Sequence, residues 1–150
     1  MRQMGQLLGI AIHERKYGSM LALSSARVTL EAGVAHDFRG TPGKRQVTVL
    51  ALEDWQAACS EHGKDLPWME RRANLLVQGL ALADTTAAII KINSVQLRIT
   101  RETDPCERMD QVSAGLCAAL QSHWRGGVCC QVLVAGDITV GDTVELIHAE

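Results

Sequence analysis

The sequence predicts a mainly β protein: a small closed or bent β-barrel with two or more peripheral helices. Three observations point there. Short apolar or alternating segments recur along most of the chain. They come in runs and do not alternate with helices, which argues against a doubly wound parallel sheet. Glycine- and proline-bearing breaks separate them at short intervals, as in small barrels.

The segments follow in order. Gly5 to Arg15 alternates weakly and reads as a strand, and Ala26 to Glu31 alternates with period two. The turn-rich stretch from Ala35 to Lys44 leads into the buried strand Arg45 to Leu52. A short helix is expected over Glu53 to His62, with Trp55, Ala58, Cys59 and His62 at helical spacing and Gly63 as its terminator. Leu66-Pro-Trp68 breaks the chain. Strands are expected over Ala73 to Val77, Ala88 to Ile92 and Val95 to Thr100, with Asn93-Ser94 as a tight turn. A second helix follows Cys106, with Met109, Val112, Leu116 and Leu120 on one stripe, and ends near His123; Gly115 inside it costs roughly 1 kcal/mol against alanine. Val128 to Val134 and Thr143 to Ile147 are the last strands, separated by Gly136-Asp137 and Gly141-Asp142 turns.

Composition bounds the function. The 150 residues are 47% hydrophobic and 21% charged, the balance of an ordinary globular chain, and are read as a single domain over residues 1–150. A net charge of −2 argues against general nucleic-acid binding, and 3% aromatic residues leave few platforms for stacking bases. The N-terminal apolar run is too short for a signal peptide and no segment has the length of a membrane span, so no membrane association is expected. Five cysteines without a regular framework point to a reduced, cytoplasmic protein. The chain has no Cys-x-x-Cys and no zinc-finger spacing, so no zinc site is expected.

Cys106 is the leading candidate for chemistry. In Asp104-Pro105-Cys106-Glu107, Asp104 reads as an N-cap, Pro105 as the first helical residue and Glu107 as the acid that closes a capping box. Cys106 at the second helical position would meet the positive end of the helix, with Arg101 and Arg108 close in sequence, which favours its thiolate. The bland alternative, a buried small hydrophobe, stays open.

Four other groups are weighed in the same way. In Arg71-Arg72-Ala73-Asn74, ahead of Leu75-Leu-Val77, an extended chain puts Arg72 and Asn74 on one face and Arg71 on the other. Guanidinium forks suit phosphate and an amide suits a heterocycle edge, against the reading of a solvated strand end. In Arg39-Gly-Thr-Pro-Gly-Lys44-Arg45, exposed backbone N–H groups with Lys44 or Arg45 can hold an anion, although the loop lacks P-loop spacing and an ordinary basic loop is the simpler reading. Trp124-Arg125-Gly126-Gly127 reads as a turn with a weak anion candidate in Arg125. His36-Asp37 reads as a base and its orienting acid, or as a structural pair. Cys129 and Cys130 point to opposite faces of a strand, one to the core and one to the surface.

Taken together, several segments resemble a known family: His36-Asp-Phe-Arg-Gly40, Arg45-Gln-Val47, Leu66-Pro-Trp68, the run Arg71 to Gly79, the run Leu97 to Cys106, Trp124-Arg-Gly-Gly-Val128 and Gly136-Asp-Ile-Thr-Val-Gly-Asp142. In this order they resemble the MOSC domain, the C-terminal module of molybdenum cofactor sulfurases, in its small stand-alone bacterial form. The likeness runs from about Leu8 to Ile147, and its specificity lies in the combination of pieces.

The resemblance implies a barrel of the MOSC or pyruvate-kinase type and a pocket for the molybdenum cofactor, molybdopterin. It implies that Cys106 is a molybdenum ligand or a sulfur carrier. It implies that Arg72 and Asn74 hold the pterin or its phosphate, with Arg71, Arg39, Lys44 and Arg45 as further cofactor-binding candidates. Some relatives read Cys-x-x-Cys at the key site; here the second position is Met109, which leaves one thiol in the motif. Pyridoxal phosphate is not expected in this chain alone, because the aminotransferase-like domain of the full sulfurases is not part of it.

Three functions follow as expectations. One is a molybdenum-cofactor protein that reduces N-hydroxylated substrates with a separate electron-donor protein. Another is a sulfur carrier bearing a persulfide on Cys106, charged by a cysteine desulfurase. The third is a non-catalytic binding module.

Overall fold

The computed structural model describes residues 2–16, 18–105 and 108–148. Cys106 and Glu107 of the expected capping box lie outside the described residues.

The strands are β1 (Arg2–His13), β2 (Met20–Leu23), β3 (Ser25–Thr29), β4 (Gly33–Val34), β5 (Val47–Ala51), β6 (Leu75–Gln78), β7 (Ile89–Ile92), β8 (Val95–Glu102), β9 (Val128–Val134), β10 (Gly136–Thr139) and β11 (Thr143–Ile147). The helices are α1 (Leu52–His62), α2 (Arg108–Val112) and α3 (Leu116–Gln121), with 3₁₀ turns at Trp68–Arg71 and Ser122–Trp124.

Seven strands close a barrel in the order β1-β6-β5-β9-β8-β7-β11, and β11 returns to β1 with Arg2 opposite Ile147 and Gln6 opposite Thr143. Every pairing in the ring is antiparallel except β5 with β6, which α1 connects. β1 serves three neighbours: its first half pairs with β11, its last four residues with β2, and a bulge between Leu7 and Gly9 adjusts its register to β6. A bulge of this kind bends a strand and sharpens its twist, which closure of a small barrel needs. A small sheet, β10-β3-β4, stands beside the ring.

Period-two alternation builds two cores from the same strands. Val49, Ala51, Leu75 and Val77 point into the barrel with Leu7, Ile10, Ile90, Leu97, Val132 and Leu146. Leu50 and Leu76 point outward beneath the helices, against Trp55, Ala58, Met109, Leu116 and Leu120. Burial on both faces is why β5 reads as one continuous apolar run. The Trp55 indole N–H donates to the Leu66 carbonyl at 2.8 Å and ties α1 to the chain that leads into β6. α1 ends as expected, with Gly63 in the left-handed region.

The barrel class, α1 and most strands match the sequence expectation. Three strands are additional, β2, the short β4 and β10. The Gly136-Asp137 turn is instead the start of β10, opposite Val28 and Arg27. Asn93-Ser94 is the expected two-residue turn, with Ile92 opposite Val95.

The single helix expected after Cys106 is broken in two. Gly115 turns left-handed (φ 93°), and Asp110 Oδ1 accepts from the backbone N–H groups of Gly115 and Cys117 at 3.1 and 3.0 Å. A carboxylate from the first segment thus satisfies orphan donors at the start of the second, and a new helix axis begins. Both Cys129 and Cys130 are buried, against the expectation that one is a surface residue. Burial raises both thiols above their ordinary range; at Cys129, Arg45 and Arg101 oppose that shift.

Candidate functional site

A cavity of about 460 Å³ opens where β1 and β8 end and where β5, β6 and β9 begin. His13 enters it from the end of β1; Phe38, Arg39, Thr41 and Arg45 from the loop before β5; and Thr48 from β5. Arg71 to Asn74 come from the approach to β6, Thr103 and Asp104 from the end of β8, Arg108 and Met109 from α2, and Gly126 from the turn before β9. Five arginines therefore surround one cavity of a chain whose net charge is −2.

Local backbone explains how Arg71 and Arg72 reach the same space. The 3₁₀ turn Trp68–Arg71 ends in Arg72, which takes a left-handed conformation (φ 66°), and its N–H donates to the Met69 carbonyl at 3.0 Å. The extended chain expected here would have sent the two side chains to opposite faces. The turn corrects that picture and puts both on the cavity wall.

The two guanidinium groups are held differently. Arg71 Nε donates to the Gly126 carbonyl at 3.1 Å and its Nη2 to Thr103 Oγ1 at 2.7 Å. Arg72 Nη1 donates to the Gly18 carbonyl at 2.5 Å, while its Nη2 is buried with no hydrogen-bond partner among the described residues. Burial lowers the Arg72 pKa below its ordinary value, and the like charges of Arg108 and Arg39 lower it further. A crowded cation with a buried, unmatched N–H group favours an anion in its vicinity.

Asn74 is fully engaged in the fold. Its Oδ1 accepts from the Thr48 N–H at 3.0 Å and from Thr48 Oγ1 at 3.3 Å, and its Nδ2 donates to the Ala11 carbonyl at 3.1 Å. It stitches β1, β5 and the approach to β6 under the cavity, so its role is to position the wall. Gln46 acts similarly on the loop that carries Arg39 and Arg45: Nε2 donates to the Leu30 and Gly40 carbonyls, and Oε1 accepts from Val132 N–H.

Asp37 pairs with His13 and not with its sequence neighbour His36. Its Oδ1 lies 2.8 Å from His13 Nδ1 and accepts from the His13 backbone N–H at 2.6 Å. The two side chains are 7% and 1% exposed. Asp37 Oδ2 is buried without a partner among the described residues.

Three other expectations change. Pro105, expected as the first helical residue, lies outside the helix; Asp104 Oδ2 accepts from Arg101 Nη1 at 2.6 Å, and the Cys106 and Glu107 N–H groups that an Asp104 cap would serve lie outside the described residues. Lys44 is not on the cavity wall; its carbonyl accepts from Thr100 Oγ1 at 2.5 Å. Arg125 pairs with Glu61 and also donates to the Ala119 carbonyl, away from the cavity.

Cys106 lies outside the described residues, but its flanks do not: Asp104 and Arg108 both line the cavity. Gly126 makes room for this segment. A Cβ there would stand 2.8 Å from Thr103 Oγ1, 2.9 Å from Pro105 Cγ and 3.2 Å from Arg71 Nη2. The Pro105 carbonyl is also 3.2 Å from Cys117 Sγ. Among the described residues no group of three or more His, Cys, Asp or Glu forms a metal-binding cluster.

A second cavity of about 600 Å³ adjoins the first and shares Arg72, Arg108 and Met109 with it. Met20, Met69, Glu70, Gln111 and Val112 complete much of its wall.

Comparison with protein families gives a match to the MOSC domain over residues 26–145. The chain belongs to the MOSC domain family. The match takes in Arg39, Arg45, Arg71, Arg72, Asn74 and Cys106. Among solved structures, this MOSC chain is similar to the YuaD protein from Bacillus subtilis, with a TM-score of 0.85 at 18% identity, covering 100% of this chain and 99% of that one. It is also similar to YiiM from Escherichia coli (TM-score 0.71, 14% identity, 97% of this chain and 71% of that one). YiiM from Geobacillus stearothermophilus gives 0.73 and 15%, over 98% of this chain and 75% of that one. At these identities the likeness is one of fold. No curated protein sequence matches the chain.

Sequence reasoning missed His13, Thr48 and Thr103 as wall residues. His13 is the first polar side chain after the apolar run Leu7 to Ile12, and a histidine ending a buried strand is the signal available. Nothing local in the sequence marks Thr48 or Thr103.

Proposed function

We propose that this MOSC protein binds the molybdenum cofactor in the arginine-lined cavity and reduces N-hydroxylated substrates with electrons from a separate donor protein. The observation that carries this reading is the gathering of Arg39, Arg45, Arg71, Arg72 and Arg108 around one cavity, with the buried Arg72 Nη2 lacking a partner among the described residues. These residues fit the anionic part of a pterin phosphate: a guanidinium fork offers paired donors to phosphate oxygens. Arg72 and Arg71 hold that group, Arg39 and Arg45 add charge from the loop, and Asn74 keeps the wall in register. The Cys106 thiolate is a soft donor suited to molybdenum. When bound, the cofactor supplies a redox-active metal to the substrate. The free cysteines Cys59, Cys117, Cys129 and Cys130 suit a reducing cytoplasm.

The test is the metal and pterin content of protein produced in a cofactor-competent host. Wild type is expected to carry both, and Cys106→Ala to lose molybdenum. Wild type devoid of both refutes the reading.

One observation favours sulfur carriage as a second reading. The Cys117 thiol lies against the Pro105 carbonyl, beside the residue that precedes Cys106. A persulfide on Cys106 would have a second thiol near its chain position. Intact mass after incubation with a cysteine desulfurase separates the two: one added sulfur, lost in Cys106→Ala, supports carriage, and an unchanged mass with bound pterin supports the first reading.

A further inference from the structure

His13 lines the same cavity and pairs with Asp37 behind it, and the phosphate-holding reading gives neither residue a role. A nearly buried histidine beside a more deeply buried carboxylate is costly unless the two are matched, and here Asp37 Oδ1 meets both the His13 ring and its backbone N–H. The contact at Nδ1 fixes the ring and leaves Nε2 as the nitrogen able to meet a ligand. A base oriented by a carboxylate and lining a ligand space is the arrangement of a proton-transfer group.

We infer that His13 is the general acid of the reaction in this cavity and that Asp37 positions it, an inference that rests on the reductase reading above. In the reduction of R–NH–OH the N–O bond breaks. Two electrons come from the donor protein. His13 Nε2–H gives one proton to the departing oxygen, which leaves as water. Nitrogen takes a second proton from solvent, and the products are R–NH2 and H2O. His13 is then reprotonated from solvent, and the Asp37 carboxylate stabilises the imidazolium.

The charged groups facing His13 are Asp37 in direct contact and, around the cavity, Arg39, Arg45, Arg71, Arg72, Arg108 and Asp104.

The experiment uses cofactor-loaded protein, phenylhydroxylamine as substrate and reduced methyl viologen as reductant, with kcat measured against pH. Wild-type kcat is expected to fall with rising pH as the general acid loses its proton. His13→Gln is expected to keep its pterin content, lose kcat by about 100-fold or more and lose that pH limb. A second measurement needs no activity: nitrogen-15 spectra of the cofactor-free chain should show the neutral His13 ring protonated at Nδ1, and Asp37→Asn should redistribute that tautomer. His13→Gln with wild-type kcat and pH profile overturns the inference alone, as does a neutral ring protonated at Nε2. Loaded wild type that does not reduce the substrate overturns the reductase reading and this inference with it.

Discussion

Asn74 binds Thr48 twice: one side-chain oxygen accepts from both the backbone N–H and the hydroxyl of Thr48, at 3.0 and 3.3 Å. With the bond to the Ala11 carbonyl, this joins three strand segments directly below the arginines. Asn74→Ala strands a buried N–H and a buried carbonyl. The expected loss is about 2–4 kcal/mol, read as a lower urea midpoint with an unchanged slope. An unchanged midpoint would remove Asn74 from this structural role.

Gly126 gives a prediction that separates function from stability. Its missing side chain lets Thr103, Pro105 and Arg71 converge beside the Cys106 segment. Gly126→Ala forces Thr103 and Pro105 outward at a cost of about 1–3 kcal/mol. The expected readout is loss of bound pterin and molybdenum from protein that still unfolds cooperatively. Retention of full cofactor content would show that the convergence is dispensable.

Asp54, in the first turn of α1, has its pKa raised from 3.8 to about 6, chiefly by burial and secondarily by Glu53, against the pull of Arg125 and His123. A raised carboxyl pKa means that the folded state binds the proton more tightly. Folding is therefore unpenalised at this group below the unfolded value, increasingly penalised as pH rises from there, and penalised in full above the folded value. Because the group is partly exposed, the penalty at neutral pH is discounted to about 1 kcal/mol. Asp54→Asn should stabilise the protein by about that amount above pH 7 and by almost nothing near pH 3.5. Urea unfolding at the two pH values checks it, and an equal effect at both contradicts the burial argument.

How much was legible in the sequence follows from the range of the interactions concerned. α1 was readable because its stripe, its Gly63 terminator and its break at Leu66-Pro67 are all local. The barrel class was readable from short apolar segments arriving in runs. β2 and β4 were not, since they exist through pairing with β1 and β3 rather than through any pattern of their own. The helix break at Gly115 depends on the Asp110 side chain reaching five and seven residues ahead. Within the site, Arg71 and Arg72 were found but wrongly faced, because the left-handed turn at Arg72 is unusual for a residue with a side chain. Asp37 was found and given the wrong partner, because the His13 contact spans 24 positions and exists only once the loop before β5 folds back on the end of β1. Lys44 resembled its basic neighbours in composition, and only the folded loop distinguishes it from Arg39 and Arg45.

The central claim is that the arginines around the cavity hold an anionic pterin, Arg72 among them with its buried Nη2. The most direct measurement is the molar content of pterin and molybdenum in wild type and Arg72→Ala produced side by side in a cofactor-competent host, with unfolding midpoints recorded for both. The account predicts pterin and molybdenum on wild type and the loss of both from an Arg72→Ala protein that remains folded. Arg72→Ala with wild-type pterin and molybdenum content, or a wild type that carries neither, would contradict it.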